Sequence, residues 1–334
     1  MSDPSLGFIA CIENNKLASE ALLLFRSIRH FGGSLAHAPI YSFNPRGLGS
    51  LDKQHYEELQ SLAVRHSDDL LNFEHRDYAL ANKIYAAACA EKKAAEDLLV
   101  FLDSDSIMLA EPTDLLLSDG VLAAATPVWA AGIGSRGVND PANKLWDVGR
   151  NICGVIEEPP RVETLLTRER VIFYCNGGLI AVRRSAGIFS RWLNCFEQLS
   201  ANELMSKLLS CGAGARNPSF FLEQMALSLA LAPYSSATQL LDKRYNCPLH
   251  NRHVLERLYP DRRFDLDSIV HFHYNQSLHK TDFLHSFTPA FDTSSAQYRW
   301  LSPQLPLAPL VRDVDDSQAI ARFDEQMERW RYVL

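Results

Sequence analysis

The stretch Leu98-Leu-Val-Phe-Leu-Asp103-Ser104-Asp105-Ser106-Ile107 decides how this chain is read. Five consecutive apolar residues are the pattern of a strand buried on both faces, as in a parallel sheet. Two aspartates then emerge at its carboxyl end, the edge where open α/β sheets bind their ligands. An Asp-x-Asp string is weak evidence alone: 22 aspartates among 334 residues give roughly one or two by chance. The chain has three: Asp103/Asp105, Asp265/Asp267 and Asp313/Asp315. Only the first follows a buried-strand pattern. Carboxylates spaced i, i+2 can converge on one hard cation, Mn2+ or Mg2+, which shares its remaining positions with substrate phosphates. The alternative is a plain turn capped by Asp and Ser.

Working outward, apolar runs and helical periodicities alternate. Leu6–Ile12, Pro39–Phe43, Leu98–Leu102 and Val121–Ala125 read as strands. Residues 16–30, Asp52–Leu62 and the alanine-rich Ala79–Ala95 read as helices. This rhythm predicts an α/β fold with a Rossmann-type, mostly parallel mixed sheet and helices on both faces. The second half is less regular. Val171–Tyr174 and Leu179–Val182 read as short strands around an Asn176-Gly177-Gly178 turn. Residues 185–210, Phe220–Ala230 and about Asp316–Tyr332 read as helices, Ile269–Tyr274 as a strand, and Asp282–Val311 as a Pro/Ser-rich surface segment.

Several segments, in order, resemble the nucleotide-sugar glycosyltransferases of the GT-A fold, which carry a metal-binding D-x-D. The resemblance covers roughly residues 6–280. It implies a GT-A-like catalytic domain over 1–280, with a nucleotide-binding half at about 1–125 and an acceptor half at 126–280. Residues 281–334 form a C-terminal extension. The first strand's end, Ala10-Cys11-Ile12-Glu13, would cradle the nucleoside, with Asp103 and Ser104 beside the donor. Lys83 would approach the donor phosphates, and Asn176, Gly177 and Gly178 would lie beside the reacting sugar. Glu223 and Gln224 resemble the acidic residue and glutamine that open a helix near the acceptor. Ile269-Val-His271-Phe272-His273 resembles the strand carrying a third metal ligand. The glycogenin-like retaining branch has His-Phe or His-Tyr there, then a glycine and Lys-Pro-Trp. This chain keeps His271-Phe272 and has Lys280 further on, but lacks the glycine and the Pro-Trp.

The implied activity transfers sugar from a nucleotide sugar, a UDP-sugar first and a GDP-sugar second, to a hydroxyl of an unknown glycan, protein or small molecule. Mn2+ or Mg2+ would be held by Asp103, Asp105, His271 and His273. The resemblance favours His271 as the direct ligand, with His273 on the phosphates or behind it, and the reverse stays open. A base such as Glu223 suits inversion at the anomeric carbon, whereas the His-Phe match suits retention. Each residue also has a plainer reading. Lys83 could solvate an alanine-rich helix, and Glu223 could be an acid favoured by a helix dipole. Trp129 could pack rather than stack on a sugar. Two other functions stay open. One is a haloacid-dehalogenase-like phosphatase, although its D-x-D normally lies on the first strand. The other is a non-catalytic sugar- or nucleotide-binding protein on a degenerate transferase fold.

Composition narrows the field. Apolar residues make up 47% and charged residues 22%, ordinary globular values that exclude disordered and collagen-like classes. A net charge of -7 with no basic block argues against nucleic-acid binding. Seven scattered cysteines with no C-x-x-C spacing exclude a zinc or disulfide framework and suit a reducing compartment. Met1-Ser2-Asp3-Pro4 has no basic n-region, and the most apolar window, Val121–Gly134, falls short of the ~20 residues of a membrane helix. The expectation is a cytoplasmic protein with no transmembrane segment.

Overall fold

The computed structural model describes residues 5–13, 16–210 and 221–307. Within these the chain begins β1 (Leu6–Cys11), α1 (Lys16–Phe31), β2 (Ile40–Phe43), α2 (Lys53–Ser61), β3 (Val64–Ser67) and α3 (Ala81–Lys93). It continues through β4 (Leu98–Leu102), β5 (Ser106–Met108), β6 (Ala123–Pro127), α4 (Asn143–Ile152), β7 (Arg161–Glu163), β8 (Arg170–Ile172) and β9 (Cys175–Arg183). Then follow α5 (Ile188–Ser200), α6 (Glu203–Ser210), α7 (Leu222–Leu231), β10 (Thr238–Leu240), α8 (Arg252–Leu258), β11 (His271–His273) and α9 (Ala296–Leu301).

Seven strands form the main sheet in the order β10-β6-β9-β4-β1-β2-β3. The pairs β4-β1, β1-β2, β2-β3 and β6-β10 are parallel, and β9 runs antiparallel between β4 and β6. This is the mostly parallel mixed sheet that the alternation of strands and helices predicts. All five residues of β4 are buried. Side chains alternate across a strand. Leu99 and Phe101 therefore enter the core beneath α3, α5 and α7, and Leu98, Val100 and Leu102 enter the one beneath α1 and α2. Burying each such side chain contributes ~1.5–3 kcal/mol, which anchors the strand that ends at Asp103.

Residues 185–210 form two helices rather than one, α4, β7, β10 and α8 have no counterpart in the sequence reading, and three further departures bear on the site. Asn176-Gly177-Gly178 is not a turn: it lies inside the continuous nine-residue strand β9. Asn-Gly signals a hairpin because glycine tolerates positive φ, but here the glycines serve close approach on both faces of an extended strand. The edge strand β3 is also present, in a polar stretch without an apolar run. Finally, the segment after Asp282 packs inward. Phe283, Leu284, Phe291, Leu301 and Leu307 are buried in a third core with Ile107, Phe272 and Tyr274, and Phe283 stacks on Phe272 at 5.8 Å between ring centroids. The expected helix near Asp316–Tyr332 lies outside the described residues, as does Pro218. No described helix is long and apolar enough to cross a membrane.

Candidate active site

Parallel pairing of β1 with β4 brings both carboxyl ends to one edge of the sheet. Beyond β4 the chain passes through Asp103, Ser104 and Asp105, all half-buried, into β5. The Asp103 amide donates to the Gly178 carbonyl of β9 at 2.9 Å, and Tyr274 N donates to the Asp105 carbonyl at 3.0 Å. β5 pairs antiparallel with β11, and this register sets His273 opposite Ser106. One oxygen each from Asp103 and Asp105 and one ring nitrogen of His273 then lie within 4.8 Å of one another. His273 Nε2 is 3.2 Å from Asp105 Oδ1. Two hard carboxylates and one imidazole, converging and partly open to solvent, fit a divalent cation that keeps positions free for phosphate oxygens.

His271 does not join this group, although the resemblance favours it as the direct ligand. It is fully buried, and both ring nitrogens are occupied by the protein. The Asn246 backbone N–H donates to Nδ1 at 3.2 Å, so Nε2 carries the proton and donates to Ser106 Oγ at 2.9 Å. Burial pushes its pKa down to about 3 and keeps the ring neutral. Ser106 Oγ in turn donates to the Asp103 carbonyl at 2.5 Å. His271 thus braces the aspartate loop from behind.

Lys83 is buried in the first turn of α3. Its Nζ lies 2.7 and 2.8 Å from the two Asp103 oxygens and 3.7 Å from Glu223 Oε1. It does not solvate the helix surface. Burial alone would lower its pKa, but Asp103 and Glu223 outweigh that and raise it. Burial also acts on Asp105, in the raising direction, and is outweighed by His273 and Lys83, which hold the carboxyl below its ordinary value. Glu223 behaves differently. Burial raises its pKa to about 7, the Lys83 charge opposing and Asp103 adding to the rise. Its Oε2 is buried with no hydrogen-bond partner among the described residues. Two contacts hold its backbone: Trp192 Nε1 donates to its carbonyl at 2.9 Å, and its amide donates to the Tyr78 hydroxyl at 3.3 Å.

The glycine pair makes room for these side chains. A methyl at Gly177 would lie 2.6 Å from Glu223 Oε2, and one at Gly178 would lie 2.7 Å from His273 Nδ1. Asn176 Oδ1 accepts from the Gly178 amide at 2.8 Å. Gln224 follows Glu223, half-buried on α7. On the β1 side, Ala10, Cys11, Ile12 and Glu13 are buried. Burial, reinforced by Glu13, pushes the Cys11 thiol well up. Glu13 receives Arg46 through Nε at 2.7 Å and Nη2 at 2.5 Å, and Asn82 Nδ2 at 2.8 Å. One helical turn therefore ties Asn82 to the end of β1 and Lys83 to the end of β4. Lys280 is exposed; its backbone amide donates to the Ser277 carbonyl at 3.2 Å, and its side chain meets none of the other predicted site residues. The other described D-x-D is a surface ion network: Asp265 pairs with buried Arg252 at 2.8 Å, and Asp267 with Arg263 at 3.2 Å. Asn246, Tyr78 and Ser106 escaped the sequence reading, because no spacing or composition marks a residue that acts through a neighbour distant in the chain. Trp129 meets the His273 ring edge-on at 5.1 Å.

A strand-end acidic pair thus faces a histidine at one edge of a mostly parallel sheet, a group that could hold a metal ion. A family model described as the Rhodobacterales glycosyltransferase domain matches residues 8–234, and the chain belongs to this family. Its class is therefore that of a glycosyltransferase. The phosphatase and binding-protein alternatives are not favoured. No curated protein matches the chain by sequence. Among solved structures it is similar to the apo bifunctional glycosyltransferase WbbM at 14% identity and TM-score 0.45, covering 91% of this chain and 52% of WbbM, so it spans about half of that protein. It is similar to the galactosyltransferase LgtC at 12% identity and TM-score 0.46, covering 91% and 98%. It is also similar to mouse xyloside xylosyltransferase 1 at 12% identity and TM-score 0.42, covering 82% and 98%.

Two predictions follow from the charges. Lys83→Met frees both Asp103 oxygens, so the nucleotide-free protein should bind Mn2+ about tenfold more tightly. It should also lose about 3–5 kcal/mol of stability, because Asp103 and Glu223 are left facing each other. Isothermal titration and urea denaturation read the two effects. The second concerns Glu223, whose folded pKa of about 7 exceeds the ordinary 4.5. Its contribution is fully present below about 4.5 and is lost as pH rises to about 7, because the unfolded chain gives up its proton first. Glu223→Gln removes that loss. Across this window the stability difference should move toward the variant by ~3 kcal/mol, read by denaturation of metal-free protein at a series of pH values.

Proposed function

We propose that this glycosyltransferase is metal-dependent and transfers a sugar from a UDP-sugar, with a GDP-sugar as second choice, to a hydroxyl of a glycan, protein or small-molecule acceptor in the cytoplasm. The observation that carries the reading is the convergence of Asp103, Asp105 and His273 where β1 and β4 end together. In this reading those three residues hold Mn2+ or Mg2+. When bound, the ion supplies Lewis-acid neutralisation of charge developing on the departing nucleoside diphosphate. The end of β1, residues 10–13, lines the nucleoside side, and Ser104 lies beside the donor. Lys83 turns from Asp103 toward the diphosphate, an ammonium kept charged by its acidic neighbours. Asn176, Gly177 and Gly178 border the reacting sugar. Glu223, a carboxyl held near neutrality in a buried position, takes up the proton of the acceptor hydroxyl with Gln224 beside it. The catalytic unit is one domain over residues 1–280, divided near 125 into nucleotide and acceptor halves, and the described part of the extension packs behind β11.

Asp105→Asn keeps side-chain volume but removes one charge from the cation site. Mn2+-dependent turnover of a nucleotide sugar should fall by roughly two to three orders of magnitude. Asp267→Asn is the matched control and should leave turnover nearly intact. Asp265 is unsuitable for this purpose, since it neutralises buried Arg252. Unchanged wild-type activity after chelation, or equal damage from Asp267→Asn, would overturn the metal assignment.

A further inference from the structure

We infer that Asn246 is the positioning residue of the cation site: its side chain accepts from His273 Nδ1 and so directs Nε2, the nitrogen that faces Asp105, to serve as the cation's ligand. The inference rests on the metal-dependent reading above and adds a residue to it. Asn246 lies between β10 and β11, with its backbone at φ +49°, a left-handed conformation that asparagine tolerates better than most residues. It is fully buried. All four of its polar groups are engaged. The backbone N–H donates to His271 Nδ1 at 3.2 Å, and the backbone carbonyl accepts from Trp129 Nε1 at 3.1 Å. The side-chain Nδ2 donates to Thr126 Oγ1 at 3.0 Å, and Oδ1 faces His273 Nδ1 at 2.8 Å.

This arrangement gives the two histidines opposite tasks. A backbone N–H can only donate, so His271 must accept at Nδ1, and its Nε2 proton goes to Ser106. With its Nδ2 spent on Thr126, the Asn246 amide offers His273 an acceptor, so His273 Nδ1 carries a proton. The nitrogen left to act as a ligand is Nε2, the one beside Asp105. Metal-binding imidazoles commonly donate their second N–H to an oxygen acceptor, and losing that partner typically costs 10–100-fold in metal affinity. Two further features hold the contact. A Cβ at Gly178 would lie 2.9 Å from Asn246 Oδ1, so only glycine leaves the space, and Trp129 packs edge-on against the His273 ring at 5.1 Å.

The test is a double-mutant cycle on Mn2+ affinity, read by electron paramagnetic resonance of free Mn2+ in nucleotide-free protein. Asn246→Gly removes the acceptor but keeps the backbone N–H to His271 and tolerates the positive φ. It should weaken Mn2+ binding by roughly 10–100-fold. In a His273→Ala background the same substitution should change the affinity no further. Asn246→Asp keeps an acceptor oxygen at the same place and should bind Mn2+ near the wild-type level. If Asn246→Gly leaves affinity unchanged while His273→Ala weakens it, Asn246 has no positioning role. An equal loss in the His273→Ala background would reduce it to a structural residue. Absence of Mn2+ binding by the wild type would overturn the underlying reading as well.

Discussion

A buried ammonium holds the acidic centre together. Lys83 sits within ion-pair distance of Asp103 and Glu223 at the end of a strand whose residues are all buried. Removing a carboxylate from water without a partner is costly, and neighbouring carboxylates repel. Charged Asp103 can occupy this edge because α3 delivers the ammonium there. The same turn of α3 carries Asn82 to Glu13, whose other partner is Arg46. Thus the ends of β1 and β4 are tied through one helix start, and the carboxylates come preorganised rather than being gathered when a ligand arrives.

The antiparallel strand β9 is the second constraint. It runs past Asp103 between β4 and β6, and consecutive residues of a strand face opposite ways. Gly177 opens one face to Glu223, and Gly178 opens the other to His273 and Asn246. A single strand lacking two side chains thereby lets groups from α7, from β11 and from the loop before β11 approach the D-x-D. The third core supports this from outside. Phe272, between the two histidines, packs with Ile107 of β5 and with Phe283 beyond it, which fixes the β5-β11 register and hence which histidine meets Asp105.

Much of the fold was legible because burial leaves a direct mark on sequence. Leu98–Leu102 had to be a strand buried on both faces, and the alternation around it required a mostly parallel sheet. The polar edge strand β3 left no such mark. Asn176-Gly177-Gly178 read as a turn because the local signal for glycine is the same whether the residue supplies a positive φ or an absent side chain. The apolar residues after Asp282 are spaced among Pro and Ser, so their inward packing was hidden by the composition of the segment.

The sequence by itself determined that two aspartates leave a buried strand at a ligand-binding edge, and which residue types could join them. An apolar run suffices for the first, since it is a property of neighbours in the chain, and the family resemblance implied the second. Only the tertiary structure places one of the two histidines, His273, beside the carboxylates. Both lie on one short strand, and the choice depends on partners far away: Asn246 and Ser106 consume the nitrogens of His271, while Asp105 stands beside Nε2 of His273. Whether Lys83 faced solvent or an acidic centre was likewise undecided until α3 packed against the strand ends. Hydrogen bonds and ion pairs are pairwise and short-ranged, so their partners become identifiable only when the chain has brought them together.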